Sequence, residues 1–279
     1  MTKLNDKVVV ITGAGSGIGR AVALRACDEG ARLALSDVNL DGLAVTADLV
    51  EQRAGRAPRT DYLDVRDRAA MADYAASVAA EFGVVNVLIN NAGVGFYGFL
   101  AEMTYEQFEW VMDIDFWGVV NGTKEFLPYL ISSGEGHIVN LSSMDGLVGV
   151  AGQTQYCAAK FAVRGFTEAL RQEMILEGHP VAVTAIHPGA IQTPIARNAG
   201  LSGERDKAAY AEFFENHMAV TSVEKAANQI VNGIVRNRAR VVIGADAKAL
   251  DALSRIAGSH YQRVVVAITR RVNKKLADA

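Results

Sequence analysis

The sequence predicts an α/β fold: a doubly wound parallel sheet of seven strands with helices on both faces. Three observations carry that prediction. Short β-branched runs alternate with longer stretches of helical spacing, the rhythm of βαβ units. Several strand runs are continuously apolar instead of alternating, as buried parallel strands covered on both sides must be. A glycine-rich turn, TGAGSGIG at 12–19, joins the first strand run to the first helical run.

The expected strands are KVVVI (7–11), RLALS (32–36), RTDYLD (59–64), VNVLIN (85–90), GHIVNLSS (136–143), VAVTAIHP (181–188) and RVVIG (240–244). Helices are expected over Ile18–Glu29, with Gly30 as a C-cap, and over Leu40–Arg53 and Asp67–Phe82. A long one should start near Thr104, where TYEQ fits a capping box, and run toward Leu130. Another should span Thr154–Leu176. No repeat or low-complexity linker occurs and proline is rare, so residues 1–279 are expected to form a single domain. The segment 194–220 breaks the rhythm and carries Tyr210, Phe213, Phe214 and Met218. It reads either as a lid over an apolar substrate or as a helical insertion packed on the body. A helical extension, 246–279, follows the last strand. Between 263 and 275 it holds five basic residues and no acid, interleaved with Val264, Val265, Val266, Ile268 and Val272. Such a segment lies on a membrane surface, on a partner subunit or on its own body; packing on protein is the favoured reading.

Composition excludes several classes. The formal net charge of -3 gives no global attraction to nucleic acid or to an anionic membrane. Two cysteines, Cys27 and Cys157, lie far apart, and five scattered histidines show no metal spacing. The N-terminal apolar run is too short for a signal peptide, and no stretch approaches the roughly 20 apolar residues of a membrane span. A soluble, cytoplasmic protein is expected.

Gly13, Gly17 and Gly19 follow a G-x-x-x-G-x-G spacing between a strand and a helix. Glycine lets a backbone approach a pyrophosphate, and the helix N-terminus offers free N–H groups to the anion. Asp37 follows the second strand, eighteen residues past Gly19. A carboxylate there accepts hydrogen bonds from the adenosine ribose hydroxyls and repels a 2′-phosphate. The positions best placed to bind such a phosphate, Ser16 and Val38, are not basic, so NAD is favoured over NADP. The bland alternative is that Asp37 only caps a turn.

In TQYCAAK (154–160), Tyr156 and Lys160 stand four apart on one helix face. Alone, such a pair is usually a surface contact. In order along the chain, however, stand TGAGSGIG (12–19), LDV (63–65), NNAG (90–93), NLSS (140–143), YCAAK (156–160) and HPGAIQT (187–193), with Ser143 thirteen residues before Tyr156. In this set the sequence resembles the short-chain dehydrogenase/reductase family, from Lys7 to about Thr193 and more loosely to Gly244. The resemblance implies a Rossmann fold with strand order 3-2-1-4-5-6-7. It implies that Ser143, Tyr156 and Lys160 are catalytic: Tyr156 as general acid/base, Lys160 holding the nicotinamide ribose and tuning the tyrosine, Ser143 steadying the substrate oxygen. It implies cofactor contacts at Gly13, Ser16, Gly17, Ile18 and Gly19, at Asp37, at Asp64 and Val65 on the adenine, at Asn91, Ala92 and Gly93, and at Pro188, Gly189, Ile191 and Thr193 on the nicotinamide end. Relatives commonly form homotetramers through the two long helices.

The chemistry is coherent with that carry-over. A phenol with an ordinary pKa near ~10 is a poor base, and a nearby ammonium lowers it. One departure stands out. Asp115 occupies a position where the family usually has asparagine, three residues before Gly118. An ionised Asp115 would raise the tyrosine pKa or pair with Lys160, leaving a proton relay intact but altered. Cys157 is read as a small buried residue. Asn90 is read either as orienting backbone in the core or as an ordinary polar residue at a strand end. The expected function is NAD-dependent interconversion of a secondary alcohol and a ketone. A hydrophobic substrate is suggested by the lid residues with Phe96, Met144, Leu147 and Val150. The alternatives are an NADPH-dependent carbonyl reductase and a non-catalytic nucleotide sensor.

Overall fold

The computed structural model describes residues 3–203 and 205–277, with side chains through 271. Seven strands form one sheet: β1 (Val8–Thr12), β2 (Arg32–Asp37), β3 (Arg59–Tyr62), β4 (Val87–Asn90), β5 (Gly136–Leu141), β6 (Val181–Pro188) and β7 (Arg240–Ile243). Every neighbouring pair is parallel, in the order 3-2-1-4-5-6-7 that the resemblance implies. The order reverses between β1 and β4, and the C-terminal ends of these two strands therefore open a crevice.

The continuous apolar runs are explained by two cores. On one face Val9, Ile11, Leu33, Leu35 and Ile89 pack against α1 (Gly17–Asp28), α2 (Leu40–Ala54) and α8 (Val223–Val235). On the other face Val10, Ala34, Leu88, Ile138 and Val183 meet α3 (Arg68–Phe82), α5 (Gly118–Ser132) and α6 (Thr154–Leu176). Successive residues of a strand point to opposite faces, so each core claims every second side chain. Helix α8 has no counterpart among the expected elements. Ser222 at its N-cap and the spacing of Ala226, Ala227, Ile230, Val231 and Ile234 announce it all the same.

The long helix expected from Thr104 is in three pieces. Its capping box is present, Thr104 with Gln107, and opens α4 (Tyr105–Met112). A π turn, Asp113–Trp117, then leads into α5. The extra residue of a π turn rotates the side chains that follow it, and such turns gather at functional sites. Here Asp115 lies within the turn, fully buried. Helix α7 (Lys207–Phe213) belongs to the 194–220 segment. Helices α9 (Ala245–Ala257) and α10 (Tyr261–Ala277) form the C-terminal extension. The extension packs in part on its own body: Val265 is buried, and the Tyr261 hydroxyl accepts a hydrogen bond from Gly149 N–H at 3.0 Å. Val264, Val266 and Ile268 remain exposed on α10. The side chains of Val272, Lys274 and Lys275 lie outside the described residues.

Asn90, at the end of β4, is more than a strand-end polar residue. Its side-chain amide donates to Asn140 Oδ1 at 2.8 Å and to Thr123 Oγ1 at 3.0 Å, and Asn140 in turn donates to Thr167 Oγ1 at 3.0 Å. These fully buried bonds cross-link β4, β5, α5 and α6. Asn90→Leu leaves the Asn140 carbonyl without its donor, at a cost of about 1–3 kcal/mol for one orphaned buried group. Thermal unfolding should show a clearly lower Tm for this variant; an unchanged Tm would remove the network from the account of stability.

Candidate active site

At the C-terminal end of β1 the chain turns sharply through Gly13, whose φ is +66°. A Cβ there would lie 2.7 Å from Ala92 Cα, so only glycine lets the loop after β4 close on the turn. That loop is stapled in place. Asn91 and Ala92 donate their backbone N–H groups to Thr12 Oγ1, each at 3.1 Å, and the Asn91 side chain donates to the Thr12 and Gly13 carbonyls, each at 2.9 Å. Ser16, the N-cap of α1, makes no side-chain cap bond, which leaves the first N–H groups of the helix to an anion. Asp37 accepts from Gly15 N–H at 2.7 Å and from Asn39 N–H at 2.9 Å.

One cavity of about 600 Å³ runs from this turn across the end of the sheet. Every site residue expected from the sequence lines it except Gly19, which sits behind the turn in α1 against the Gly13 carbonyl. The wall near Asp37 includes Tyr62 and Arg66, neither of which was anticipated. Asp64 is paired with Arg66 at 2.6 Å, and that guanidinium holds its carboxyl below the usual carboxylate range. Arg66 and Lys160 are the only cationic residues among the described lining residues, and each is engaged with a carboxylate.

At the other end of the cavity the chemistry-bearing side chains converge. Ser142 and Ser143 part company: the Ser142 hydroxyl donates to the Lys160 carbonyl at 2.8 Å, tying β5 to α6. Ser143 accepts from Asp145 N–H at 3.1 Å, and its hydroxyl eases ionisation of the Tyr156 phenol. The Ser143 carbonyl receives a bond of 3.1 Å from His187 Nδ1. Burial lowers His187 to about 4, so the ring is neutral and Nδ1–H is the donor. Lys160 is buried with its Nζ 5.4 Å from the centre of the Tyr156 ring, 3.2 Å from the Leu141 carbonyl and 3.2 Å from Asp115 Oδ2. Asp115 Oδ1 accepts from Val94 N–H at 2.7 Å.

This arrangement changes the electrostatic expectation for the tyrosine. Burial first, then the charges of Asp115 and Asp145, hold the Tyr156 phenol well above its ordinary value, and the Ser143 hydroxyl offsets only part of this. Lys160, with its Nζ 5.4 Å from the ring centre, is paired with Asp115 and so faces the phenol beside an opposing charge. Burial likewise pushes the Asp115 carboxyl up, and Lys160 pulls it back. Cys157 is buried as expected, and burial raises its thiol to about 12.

The apolar end of the cavity is built from both sides. Phe96, Trp110 and Met144 form one wall, while Ile195, Tyr210, Phe214 and Met218 of the 194–220 segment form the other. The segment is anchored beside the site. Phe96–Tyr97 pairs in parallel with Gly200–Leu201, and Tyr210 stacks on Tyr97 with centroids 5.3 Å apart. Leu147, Val150 and Phe213 do not line the cavity; Phe213 turns inward and stacks on His217 instead.

The comparisons agree with this geometry. The family model described as short chain dehydrogenase matches residues 7–202. The protein named "Putative oxidoreductase SadH" of Mycobacterium tuberculosis is 54% identical over 267 residues, covering 96% of each chain. The 3-oxoacyl-[acyl-carrier-protein] reductase FabG of Thermotoga maritima is 37% identical over 195 residues, covering 69% of this chain and 77% of its own. Among solved structures, a short chain dehydrogenase/reductase from Burkholderia phymatum in complex with NAD superimposes with a TM-score of 0.84 at 30% identity, covering 91% of this chain and 95% of that one. Levodione reductase gives a TM-score of 0.77 at 30% identity, covering 88% and 99%. The chain belongs to the short-chain dehydrogenase/reductase family, and it is an oxidoreductase of the nicotinamide-binding, Rossmann-fold type.

Asp145 was not anticipated as a site residue. It is buried in the turn after Ser143, and burial together with the charge of Asp246 raises its carboxyl to about 7. A carboxyl raised on folding adds stability that is complete below its unfolded value near 4 and is lost as pH climbs to about 7. Asp145→Asn removes that dependence. The variant should therefore gain Tm relative to the wild type as pH rises from 5 to 8; parallel Tm curves over that range would contradict the assignment.

Proposed function

We propose that this protein is an NAD-dependent dehydrogenase/reductase that interconverts a secondary alcohol and a ketone of hydrophobic character. One observation carries the reading: Ser143, Tyr156 and Lys160 converge at one end of the cavity whose other end holds the glycine turn and Asp37. NAD, when bound, supplies the hydride acceptor. Asp37 and the N–H groups of α1 would hold its adenosine ribose and pyrophosphate, and the Asn91–Gly93 and Pro188–Thr193 loops would line the rest of its site. NADP is disfavoured because Arg66, the one cation among the described residues lining that end of the cavity, is committed to Asp64.

In oxidation, the alcohol proton passes to the Tyr156 phenolate as the carbinol hydrogen leaves with its electron pair. In reduction, Tyr156 returns the proton to the carbonyl oxygen. Ser143 donates to the developing oxyanion, and its position is fixed by Asp145 N–H on the hydroxyl and His187 on the carbonyl. A phenol held up by burial is a proton donor at neutral pH, so the resting site is set for the ketone direction. The names of levodione reductase and the 3-oxoacyl reductase point to carbonyl chemistry of the same kind. Tyr105, Trp117 and Phe161, exposed on α4, the π turn and α6, support assembly through these helices into a homotetramer. No described helix is long and apolar enough to cross a membrane.

Two measurements check this function. Reduced-nicotinamide absorbance, followed with a panel of secondary alcohols and ketones, should report turnover with NAD that Tyr156→Phe lowers by at least a hundredfold, within the typical range for losing a general acid/base. Tight NAD binding without turnover of any of them would favour the sensor reading, and faster turnover with NADP would favour the carbonyl reductase. In Asp115→Asn a charge that opposes ionisation of Tyr156 is gone. The rise of the oxidation rate with pH should then begin at lower pH than in the wild type; superimposable profiles would remove Asp115 from the mechanism.

A further inference from the structure

Asp246 lies in the first turn of α9, outside the glycine turn, the tyrosine–lysine helix and the proline–glycine loop. Its Oδ2 accepts the Ala190 N–H at 2.7 Å. Both carboxylate oxygens fill the space that a side chain at 189 would take: a Cβ on Gly189 would lie 2.2 Å from Oδ2 and 2.3 Å from Oδ1. The same loop is held from two other elements, by Gly189 N–H on the Ile243 carbonyl at 2.8 Å and by Gln192 N–H on the Thr221 carbonyl at 2.9 Å. The C-terminal extension thus reaches the loop assigned above to the nicotinamide end through one carboxylate.

Asp246 has a second neighbour. Helix α9 packs on the Met144–Gly146 turn, which carries Asp145. Asp145 Oδ1 and Asp246 Oδ1 are both buried, and neither has a hydrogen-bond partner. The charged and titratable groups around Asp145 are Asp246 from α9, Lys160, Tyr156 and Cys157 from α6, and Tyr210 from α7. Lys160 is the one cation among them, and it is paired with Asp115. The state of Asp145 is therefore governed by burial and by Asp246, and the charge on Asp145 acts on Tyr156.

We propose that Asp246 is a positioning residue for the oxidoreductase reaction: its carboxylate holds the Pro188–Thr193 loop at Ala190 and, through Asp145, sets the charge beside Tyr156. The proposal rests on the function proposed above. It joins the extension after the last strand to both the cofactor loop and the proton-transfer group.

The test compares Asp246→Asn with Asp246→Ala in the full chain, reading the Kd for NAD, the pH dependence of Tm without cofactor, and the pH profile of kcat/KM. Asparagine keeps an acceptor for Ala190 N–H and loses the charge; alanine loses both. Asp246→Ala should weaken NAD binding about tenfold, the scale of one lost charge-assisted hydrogen bond. Asp246→Asn should bind NAD within about twofold of wild type, the precision with which hydrogen-bond substitutions are compared. It should nonetheless flatten the Tm–pH slope between pH 5 and 8 and move the matching limb of the kcat/KM profile to lower pH. In an Asp145→Asn background, Asp246→Asn should leave the profile where it is. Should the alanine variant fail to fold, Asp246→Ser, whose shorter side chain gives up the carboxylate, should reproduce the loss of NAD affinity. Unshifted pH behaviour in Asp246→Asn, or wild-type NAD affinity in Asp246→Ala (in Asp246→Ser where alanine does not fold), would overturn the proposal. A wild type that neither binds NAD nor turns over defeats the functional reading itself, whereas a working wild type with unaltered variants defeats only the role of Asp246.

Discussion

The site depends on burying one ammonium. Lys160 Nζ sits beneath the end of the sheet with its side chain 5% exposed, and Asp115 beside it is wholly buried. An unpaired charge at such depth costs several kcal/mol, and even a paired one is weak evidence for stability, because desolvation cancels much of the attraction. What the pair supplies is geometry. Lys160 also donates to the Leu141 carbonyl, and Asp115 accepts from Val94 N–H. Four segments meet at that point: the end of β5, the loop after β4, the π turn and α6. The contact with Asp115 Oδ2 is an ion pair at 3.2 Å without hydrogen-bond alignment, which leaves Nζ free to reorient a donor toward a third group. A ribose hydroxyl is the group that the proposed function would place there.

The same constraint explains why the tyrosine is not a ready base. A lysine four residues on is often read as enough to pull a phenol down. Here that cation is already spent on Asp115, and Asp145 adds a second acid near the ring. Tyr156 is held in its neutral form by burial and by these acids together. The balance then rests on groups that arrive with the reaction, since oxidised nicotinamide brings positive charge and a carbonyl oxygen brings an acceptor. A site built this way resists ionising until it is loaded, and the Ser143 hydroxyl is the one fixed group that already favours the phenolate.

Much of this was legible in the chain itself. Several strands could be read because burial on both faces writes continuous apolar runs, although β3, RTDY, alternates between half-buried and exposed residues, and the glycine turn because its spacing falls between a strand run and a helical run. Ser143, Tyr156 and Lys160 were read from the family resemblance that the ordered motifs carry, since a tyrosine and a lysine four apart on a helix are by themselves an ordinary surface pair. The rest was not legible for physical reasons. Gly19 shares the glycine spacing yet gives room to the Gly13 carbonyl and the Asn91 amide behind the turn instead of lining the cavity, and spacing does not separate those uses. The π turn leaves no mark in a periodic pattern, so a continuous helix was expected where Asp115 is rotated inward. Asp145 and Asp246 stand 101 positions apart (246 − 145) and acquire meaning only when α9 packs on the turn after Ser143. Phe213 and Leu147 were counted toward the substrate wall because they are apolar, but an apolar residue in a lid faces either the cavity or the core, and composition does not choose.

The 194–220 segment and the C-terminal extension bear on one requirement of the proposed function. An apolar cavity beside a charged cofactor site must exclude water during transfer yet admit its substrate. The 194–220 segment meets the first need by a built contact: the short parallel pairing with Phe96–Tyr97, the Tyr97–Tyr210 stack, and Arg205, whose guanidinium lies over the Tyr97 and Phe99 rings while it pairs with Glu102. These contacts are polar or aromatic at the rim and leave the interior wall to Tyr210, Phe214 and Met218. Helix α10 then braces the outer side, touching α7 and anchoring Tyr261 on Gly149, seven residues before the catalytic tyrosine proposed at 156. The segment also buries Ala196, Ala199, Ala211 and Phe213, so a small apolar core holds it to the body beside the strand pairing, the stack and the ion pair. The chemistry end of the cavity is fixed by bonds to strands and helices of the seven-stranded sheet, whereas the other end is completed by a segment joined to the body through a pairing of two residues per strand, the smaller attachment and therefore the readier of the two to move.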